Sequence, residues 1–436
     1  MAIGESLVLD IERLVAGGEG LAFYEGRAVF VPFVLPGERV KALVLREQRD
    51  WARAELVEVL EASADRVEPE CPLFGICGGC DLQMASYGAQ REGKLAMLGD
   101  IFRRGAGLDV GGSVATGSGE AGGGPGAAGG WQGAAGGIGF EASAPYGYRN
   151  RLQFHFDEAG RLGFKRRNSE KVAAVAFCPI ADPAINEWLA EEAGGGGRAS
   201  GGGPALGGGP ALGGGLALGG GPALGGGRAS SGGQGRFVVY GQGGQVWVEG
   251  RHKRAEVKVL GDRIGFDPGA FFQSNHGMLG RMIEAALEGI DGGRAADLYA
   301  GVGLFGHFLA KRGARVTMVE ENGASLAEAR RNVPGPIHEW HHRQVEAWCE
   351  GPGAGKLFDA VVVDPPRAGL SAALKAWLAK KKPPLLSYVS CDPVTLARDT
   401  KELIGSGFGL ERLVLFDFYP QTGHIECLAR FAPTAG

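Results

Sequence analysis

The chain has few cysteines, no long apolar run and little net charge, and each shortage excludes a class of protein. Seven cysteines in 436 residues are few and odd in number, which argues against a secreted protein held together by disulfides. No run of about 18 apolar residues is present, so the sequence predicts no membrane span. The formal net charge of −4 means that any nucleic-acid surface is a local patch. We therefore expect a cytoplasmic protein with no membrane partner.

Glycine is concentrated in two stretches, at about residues 105–139 and 194–235. The second contains a six-residue repeat of the type GGGPAL, which in principle is compatible with a β-helix. However, Gly, Pro, Ala and Leu offer little side chain to stack, and glycine loses the most conformational entropy on ordering. Flexible linkers are therefore the favoured interpretation. With these stretches set aside, we predict domains at 1–65, 66–275 and 276–436.

The first domain has the pattern of a small β-barrel. The segments LVLDIERL, RAVFVPFVL, ERVKALVLREQ and RAELVEVLE are rich in Val, Leu and Phe and alternate in part, with glycine-containing turns between them. This pattern indicates a barrel of the oligonucleotide-binding type. Such barrels bind nucleic acids or proteins, so the pattern alone leaves the partner open.

The last domain alternates predicted strands with predicted helices. RAADLYAGVGLFG, ARVTMVE, FDAVVVDPP and LLSYVSCDP read as strands that run into turns or helices, which indicates a doubly wound α/β sheet with its ligand beyond the carboxyl ends of the strands. Gly301 and Gly303 permit a tight turn beside a ligand, and Glu320 ends the next strand, where a carboxylate can accept hydrogen bonds from a ribose. The glycine spacing is also compatible with a nicotinamide-dependent oxidoreductase.

Three polar residues stand at the ends of later predicted strands. Asp364 follows the apolar run AVVV, Cys391 follows LLSYVS, and Glu426 lies in the apolar strand HIECLARF. A cysteine beside a strand is most often a small buried apolar residue, and we assign that role to Cys349 and Cys427. The polar neighbours of Cys391 favour exposure in a cleft instead. A buried glutamate needs a function or an ion-pair partner, and both possibilities stay open for Glu426.

The order of motifs resembles the RNA uracil-C5 methyltransferases, which make 5-methyluridine with S-adenosylmethionine. The motifs are CPLFGICGGCDLQ, YRNRLQF, FFQSN, DLYAGVGLFG, VVVDPPRAGL, YVSCDPVTLARD and DFYPQTGHIE. The resemblance implies an α/β fold whose C-terminal doubly wound sheet is a Rossmann-like methyltransferase domain. It also implies an N-terminal TRAM-like barrel and a central β-rich domain with an iron–sulfur site. The implied substrate is RNA, with 23S rRNA favoured over tRNA, and we expect a monomer. A noncatalytic RNA-binding protein is the alternative.

Three cysteines are concentrated in CPLFGICGGC. Family members that carry a [4Fe-4S] cluster hold it with cysteines spaced like Cys71, Cys77 and Cys80 and with a fourth far along the chain, for which Cys178 is in the matching place. Four thiolates suit an iron–sulfur cluster or zinc, but the spacing differs from the paired CxxC motifs of a structural zinc finger. We therefore predict a [4Fe-4S] cluster, with zinc as the alternative.

The chemistry of the substrate gives Cys391 and Glu426 their roles within this family. C5 of uracil is a poor nucleophile, and addition of a thiolate to C6 creates an enolate that can attack a methyl group. Cys391 fits that nucleophile, and by resemblance Glu426 removes the C5 proton afterwards. Asp392 stands where the family often has Asn. An ionised carboxylate there would disfavour the thiolate, so we expect Asp392 to point away or to be paired.

Family correspondence also implies the residues that bind S-adenosylmethionine. They are Gln273 for the amino-acid portion, Tyr299 as an aromatic neighbour, Glu320 for the ribose hydroxyls and Asp364 at the strand edge. Leu304 departs from the family, which often has Asn there, so one cofactor contact is expected to be weaker or to come from the backbone.

A basic and aromatic segment, residues 148–171, is the predicted RNA contact. It contains seven Lys or Arg residues against three acidic ones, interleaved with Tyr148, Phe154, Phe156 and Phe164. This composition suits phosphate pairing and base stacking, although a solvated face of a hairpin has a similar composition. The target base must leave its stack to reach a buried cysteine.

Overall fold

The computed structural model describes residues 1–111, 137–194 and 235–434. Most of the two glycine-rich stretches predicted to be flexible lies outside these ranges. None of the helices in the described ranges combines the length and the apolar composition that crossing a membrane requires.

The first unit is a six-stranded sheet. Its strands are β1 (Ser6–Asp10), β2 (Arg13–Leu14), β3 (Gly20–Tyr24), β4 (Arg27–Val31), β5 (Arg39–Glu47) and β6 (Trp51–Glu61), in the order β1-β5-β6-β4-β3-β2. Alternation in β1 buries Leu7 and Leu9 and exposes their neighbours. The core residues of this unit all come from residues 7–54, so the sheet folds around its own core, as in a small barrel. The sequence placed β2 in one predicted segment with β1, and it did not predict β3, which follows a glycine-rich turn.

The middle of the chain forms a second sheet and a hairpin. The sheet contains β8 (Arg151–Phe156), β9 (Leu162–Lys165), β10 (Val172–Ala174), β11 (Arg236–Gln242) and β12 (Gln245–Val248), in the order β10-β9-β8-β11-β12, and helix α2 (Pro183–Gly194) packs against β11 and β12. The hairpin consists of β13 (Ala255–Val259) and β14 (Asp262–Phe266). All strand pairs in both are antiparallel. The predicted β-rich character of this region is confirmed.

The C-terminal sheet has eight strands in the order β17-β16-β15-β18-β19-β21-β20-β7. Its strands are β7 (Gly139–Glu141), β15 (Arg294–Leu298), β16 (Arg315–Glu320), β17 (Glu339–His342), β18 (Ala360–Val363), β19 (Leu385–Ser390), β20 (Phe408–Phe416) and β21 (Glu426–Pro433). The first five strands in this order are parallel, and β21 runs antiparallel to β19 and β20. The predicted alternation of strands and helices is confirmed.

The helices associated with this sheet follow from apolar spacing and from polar caps. They are α1 (Tyr87–Gly105), α3 (His276–Ala286), α4 (Leu304–Lys311), α5 (Gly323–Asn332), α6 (Val345–Cys349), α7 (Ala372–Lys381) and α8 (Pro393–Gly405), with a short 3₁₀ turn at Pro352–Gly355. Ser86, Asn275, Asn322, Ser371 and Asp392 each accept a hydrogen bond from a backbone amide in the first turn of a helix, which satisfies a donor that the helix leaves unpaired.

Two elements from the predicted central domain, a helix and a strand, are part of the C-terminal unit in the structure. Helix α1 packs against α8, and strand β7 pairs in parallel with β20 through Gly139, Phe140 and Glu141. The boundary predicted at residue 276 is therefore crossed in space by two elements. The predicted boundaries are otherwise untested.

Candidate active site

The candidate site lies at the carboxyl edge of the parallel strands, as the alternation predicted. Asp364 directly follows β18 and Cys391 directly follows β19, while β21 returns antiparallel and begins at Glu426. The register pairs Ser390 with Cys427. Cys391 follows Ser390, and Glu426 precedes Cys427. Because β19 and β21 are antiparallel, Cys391 and Glu426 lie opposite each other at the edge.

The thiol of Cys391 lies on an accessible residue with acidic neighbours. The surrounding protein raises the pKa of Cys391 to about 11, mainly through partial burial and further through Glu426 and Asp364. The guanidinium of Arg367 acts in the opposite direction. Cys391 is therefore a thiol rather than a thiolate in the free protein at neutral pH.

Glu426 is almost completely buried, with 2% of its surface exposed. Burial raises the pKa of Glu426 well above its usual range, Asp364 raises it further, and Arg367 opposes both effects. A carboxylate with a raised pKa is a stronger proton acceptor than an exposed glutamate. Within the described part of the chain, no Lys, Arg or His side chain forms a salt bridge with Glu426. The structure therefore does not support the salt-bridge alternative for this residue.

Asp364 and Gln273 meet in the same part of the site. Burial raises the pKa of Asp364 to about 7, and a hydrogen bond from the side chain of Gln273 opposes this shift. Gln273 is 7% exposed, and its Oε1 atom is buried without a hydrogen-bond partner in the described residues. An unpaired buried amide oxygen is costly, and a ligand that donates a hydrogen bond would satisfy it.

The turn after β15 and the end of β16 lie at the same carboxyl edge of the sheet, because these two strands are parallel neighbours. Gly301 and Gly303 have φ angles of 54° and 77°, which favour glycine. The backbone amide of Gly301 donates to Glu320 Oε2 at 2.8 Å, and the amide of Asn322 donates to Oε1 at 2.7 Å. These bonds hold the Glu320 carboxylate at the strand end, where it was predicted. Tyr299 also has a positive φ, of 64°, in the first residue after β15.

The two departures from the family pattern have structural explanations. Leu304 is 8% exposed and belongs to the apolar core, so its side chain serves packing. Asp392 accepts hydrogen bonds from the backbone amides of Val394 and Thr395 at 3.0 and 2.9 Å, as the cap of α8. The expectation that Asp392 is paired is confirmed.

The four predicted cluster cysteines, Cys71, Cys77, Cys80 and Cys178, line one cavity of about 550 Å³. Burial raises the pKa of Cys80 to about 12 and that of Cys178 to about 11. Gln83 accepts a hydrogen bond from the backbone of Cys71 at 3.1 Å, which fixes one end of this cysteine segment.

No group of three or more His, Cys, Asp or Glu side chains within the described ranges is placed to hold a single metal ion. The sequence therefore brings the four cysteines to one cavity without a ready site for one ion. A cluster binds each thiolate at a different iron, so it needs four cysteines around one cavity rather than around one point.

Segment 148–171 is the predicted RNA contact, and two of its four aromatic residues are buried and therefore not available for base stacking. Tyr148 and Phe154 are 7% and 0% exposed. The hydroxyl of Tyr148 donates to the Pro420 carbonyl at 2.9 Å, and Phe154 stacks on Phe164 with ring centroids 4.9 Å apart. Strand alternation in β8 places Leu152 and Phe154 on the same buried face, while Phe156, the last residue of the strand, is 41% exposed.

Sequence reasoning missed several residues that surround the two catalytic candidates. Arg367 lowers the pKa of both Cys391 and Glu426, and its only signal was its place directly after the prolines of DPPR. The guanidinium of Arg149 lies 5.9 Å from the ring centroid of Tyr419. Burial raises the pKa of Tyr419 to about 12, with Glu426 as a further cause.

The fold and the site together define a Rossmann-like methyltransferase. A solved structure with the same arrangement is the tRNA (uracil-54, C5)-methyltransferase of Pyrococcus abyssi in complex with S-adenosyl-L-homocysteine. It has a TM-score of 0.64 and 21% sequence identity, and the match covers 98% of this chain and 99% of that one. At this level of identity the match supports the fold.

Sequence comparison identifies the family. The TRAM domain model matches residues 2–57, and the tRNA (Uracil-5-)-methyltransferase model matches residues 355–431. The chain is 32% identical to the 23S rRNA (uracil(1939)-C(5))-methyltransferase RlmD of Shewanella amazonensis, over 98% of this chain and 96% of the relative. It is 30% identical to an uncharacterised RNA methyltransferase of Treponema denticola, over 97% and 98%.

The chain belongs to the RNA uracil-C5 methyltransferases, which use S-adenosylmethionine. The family predicted from the motifs is confirmed, and so is the TRAM-like unit at the N-terminus. This membership favours S-adenosylmethionine-dependent methylation over the nicotinamide-dependent and noncatalytic alternatives.

Proposed function

We propose that this enzyme methylates C5 of a uridine in 23S rRNA. The support is the full-length similarity, near 30% identity, to relatives named as 23S rRNA enzymes. A uridine in tRNA is the second candidate, because the matched family model and the structural relative carry tRNA names. We also propose that the enzyme acts as a monomer in the cytoplasm.

The observation that carries the mechanism is the placement of Cys391 opposite Glu426 at the sheet edge. The accessible Cys391 thiol releases its proton to solvent, the resulting thiolate adds to C6 of the uracil, and the electrons of the C5–C6 bond move toward O4 to form an enolate. C5 of the enolate would then take the methyl carbon from S-adenosylmethionine, and the electron pair of the broken S–CH3 bond would stay on the cofactor's sulfur. Glu426 then takes the proton from C5, the C5–C6 double bond forms again, and the bond from C6 to sulfur breaks.

S-adenosylmethionine supplies the methyl group when bound, and four residues of this chain are proposed to hold it. The amide of Gln273, whose Oε1 has no partner among the described residues, suits the amino-acid portion. The carboxylate of Glu320 at the end of β16 suits the ribose hydroxyls, and Asp364 and Tyr299 follow neighbouring parallel strands at the same edge. Methyl transfer needs no further ionisable group from these residues, since their task is to bind and orient.

A [4Fe-4S] cluster held by Cys71, Cys77, Cys80 and Cys178 is a further part of the proposal. The cluster is supported by the four thiols that line one cavity. The thiols are also close to one another, because Cys178 and Cys77 raise the pKa of Cys80 in addition to the larger effect of burial. A positively charged iron centre would allow all four to bind as thiolates. The cluster would tie residues 71–80 to the segment that contains Cys178.

Two variants separate the roles of the catalytic residues. Glu426→Gln keeps the nucleophile, so addition and methyl transfer proceed, but the C5 proton has no acceptor and elimination stalls. Denaturing gels with methyl-labelled cofactor and ribosomal RNA from cells that lack the protein should show a labelled protein–RNA adduct. Cys391→Ala should show neither adduct nor methylated product.

The outcomes that contradict this mechanism are specific. Turnover by Cys391→Ala would remove Cys391 from its role, and normal product release by Glu426→Gln would remove Glu426. Mass spectrometry of 5-methyluridine in ribosomal and transfer RNA, from cells with and without the protein, decides the substrate. A change confined to transfer RNA would replace the 23S rRNA proposal by the tRNA candidate.

A further inference from the structure

The loop that leads into the catalytic base is the segment 417–425, between β20 and β21. It carries Tyr419 and ends directly before Glu426. Its backbone is unusual at Gln421, which is 3% exposed and has a φ of 67°. A residue other than glycine adopts such a conformation only where its surroundings enforce it. The loop is therefore held in place from outside.

Helix α1 holds the first half of this loop. Lys94 and Asp417 are both fully buried, and Lys94 Nζ lies 2.7 Å from Asp417 Oδ1. Lys94 Nζ also donates to the carbonyl of Tyr419 at 2.9 Å. The hydroxyl of Tyr87, from the same helix, donates to Asp417 Oδ2 at 3.0 Å. Taking two charges out of water is expensive, and these added hydrogen bonds offset part of that penalty.

The same helix and the cysteine segment hold the middle of the loop. The backbone amide of Gln421 donates to Gln90 Oε1 at 2.8 Å, and Gln90 Nε2 donates to Gln421 Oε1 at 2.9 Å. The carbonyl of Gln421 accepts from the amides of Asp81 and Leu82, each at 3.0 Å. Asp81 directly follows Cys80, so the loop is bonded to the segment that carries the cluster cysteines.

The N-terminal barrel touches the last part of the loop. A Cβ atom built on Gly423 would overlap the backbone of Gly17 and Gly18, and a Cβ built on Gly18 would lie 3.0 Å from the Gly423 Cα. The barrel turn and the loop therefore meet backbone to backbone. Gly423 is three residues before Glu426, so this contact lies next to the base.

We propose that Gln90, Lys94 and the barrel turn Gly17–Gly18 are positioning residues for Glu426, acting through the loop 417–425. This inference rests on the proposed function, in which Glu426 takes the C5 proton. Proton transfer needs the acceptor within hydrogen-bond reach of the proton, and a shift of about 1 Å can slow such a step on the order of a hundredfold. The addition and methyl-transfer steps depend on Cys391, which lies on a different element.

A selective effect on the last step follows. Loosening the loop should slow elimination while leaving RNA binding, addition and methyl transfer close to normal. The covalent RNA adduct that already carries the methyl group should then accumulate during turnover. A purely structural defect would instead lower every step together.

The test uses Gly423→Ala, which places a methyl group against the barrel turn, and Gln90→Met, which keeps the side-chain length but removes its hydrogen bonds to Gln421. The matched control is Gly405→Ala, because a Cβ there meets nothing within 4 Å. Each full-length protein is given ribosomal RNA from cells that lack the enzyme and methyl-labelled cofactor. The measurements are kcat, KM for RNA, and the fraction of enzyme in labelled adduct.

We expect both loop variants to lower kcat by about tenfold or more, to raise the adduct fraction and to keep kcat/KM for RNA within about twofold, since the steps up to methyl transfer are unchanged. Gly405→Ala should match the unmodified enzyme. An unchanged adduct fraction in the folded variants would overturn the proposal, as would a parallel loss of adduct and product. If Gly423→Ala does not fold, Gln90→Met carries the same test. Glu426→Gln runs alongside, and its failure to form adduct would refute the proposed mechanism instead.

Discussion

The molecule contains cysteines in two contrasting environments. Burial is the largest cause of a raised pKa at Cys391, Cys80 and Cys178 alike. At Cys391 the further raising comes from two carboxyl groups, whereas at Cys80 it comes from other thiols. A lone thiol beside carboxyl groups suits a nucleophile that becomes a thiolate only in the assembled complex. Four thiols around one cavity suit an iron–sulfur cluster, because its positively charged irons would stabilise all four as thiolates.

The largest effect that would test this contrast is the loss of iron. Protein purified without oxygen should be brown and contain about four irons per chain. Cys178→Ser should lose nearly all of this iron and melt at a lower temperature, because a bound cluster stabilises only the folded state. Iron analysis and thermal melting measure both effects.

The matched variant for that experiment is Cys391→Ser, which changes the same atom in the other environment. It should keep its iron and its melting temperature but lose methylation. Iron loss in Cys391→Ser, or a fully active, colourless enzyme loaded with zinc, would contradict the assignment of the two environments.

A smaller effect concerns the charge around the nucleophile. The thiolate is the reactive form, so with a pKa of about 11 the rate of Cys391 alkylation by iodoacetamide should rise about tenfold per pH unit between pH 7 and 10. Arg367→Gln removes the cation that lowers this pKa, so the rate at pH 8 should fall several-fold. Peptide mass spectrometry of the labelled protein gives the rate.

Cys427 provides an internal comparison in the same spectra, because it is completely buried and should stay unlabelled. A rate that levels off below pH 8 would show that Cys391 has a lower pKa than its surroundings imply. Faster labelling in Arg367→Gln would reverse the role given to that guanidinium.

The smallest effect distinguishes Asp392 from the acidic residues that act on Cys391. Its carboxylate caps α8, so Asp392→Ala should lower stability by about 1 kcal/mol, while Asn caps equally well and should change it little. Alkylation of Cys391 in Asp392→Asn should follow the original pH profile. A several-fold increase in that rate would mean that the Asp392 carboxylate opposes the thiolate after all.

The sequence predicted those site residues whose position depends only on the direction of the strand that they follow. Parallel strands end at one edge, so Asp364 and Cys391 were expected together, and β21 adds Glu426 because it returns antiparallel from that edge. Arg367 and Tyr419 were missed because their contribution depends on loop conformation. The prolines of DPPR restrict the loop, but they do not reveal which way the next side chain points.

The burial of aromatic residues in segment 148–171 was not predicted, for a different physical reason. The basic and aromatic composition suited RNA stacking, but β8 is a strand, and successive residues of a strand face opposite sides, so only one face can reach RNA. Leu152 and Phe154 are buried against α2 and β11 residues such as Trp188 and Phe237. The period of two was visible in RLQFHF. Which face is covered depends on α2 and β11, which lie far along the chain.

The pairing of β7 with β20 and the packing of α1 on α8 also bear on how the protein is made. A chain that begins at residue 276 would lack both elements, so the outer edge of β20 would offer unpaired backbone groups to other chains. Closure of the catalytic sheet requires contacts between residues near 140 and residues near 414, and contacts so distant in sequence slow folding. The C-terminal domain is thus not a self-sufficient folding unit. Its edge is completed by residues that leave the ribosome long before the strand they cover.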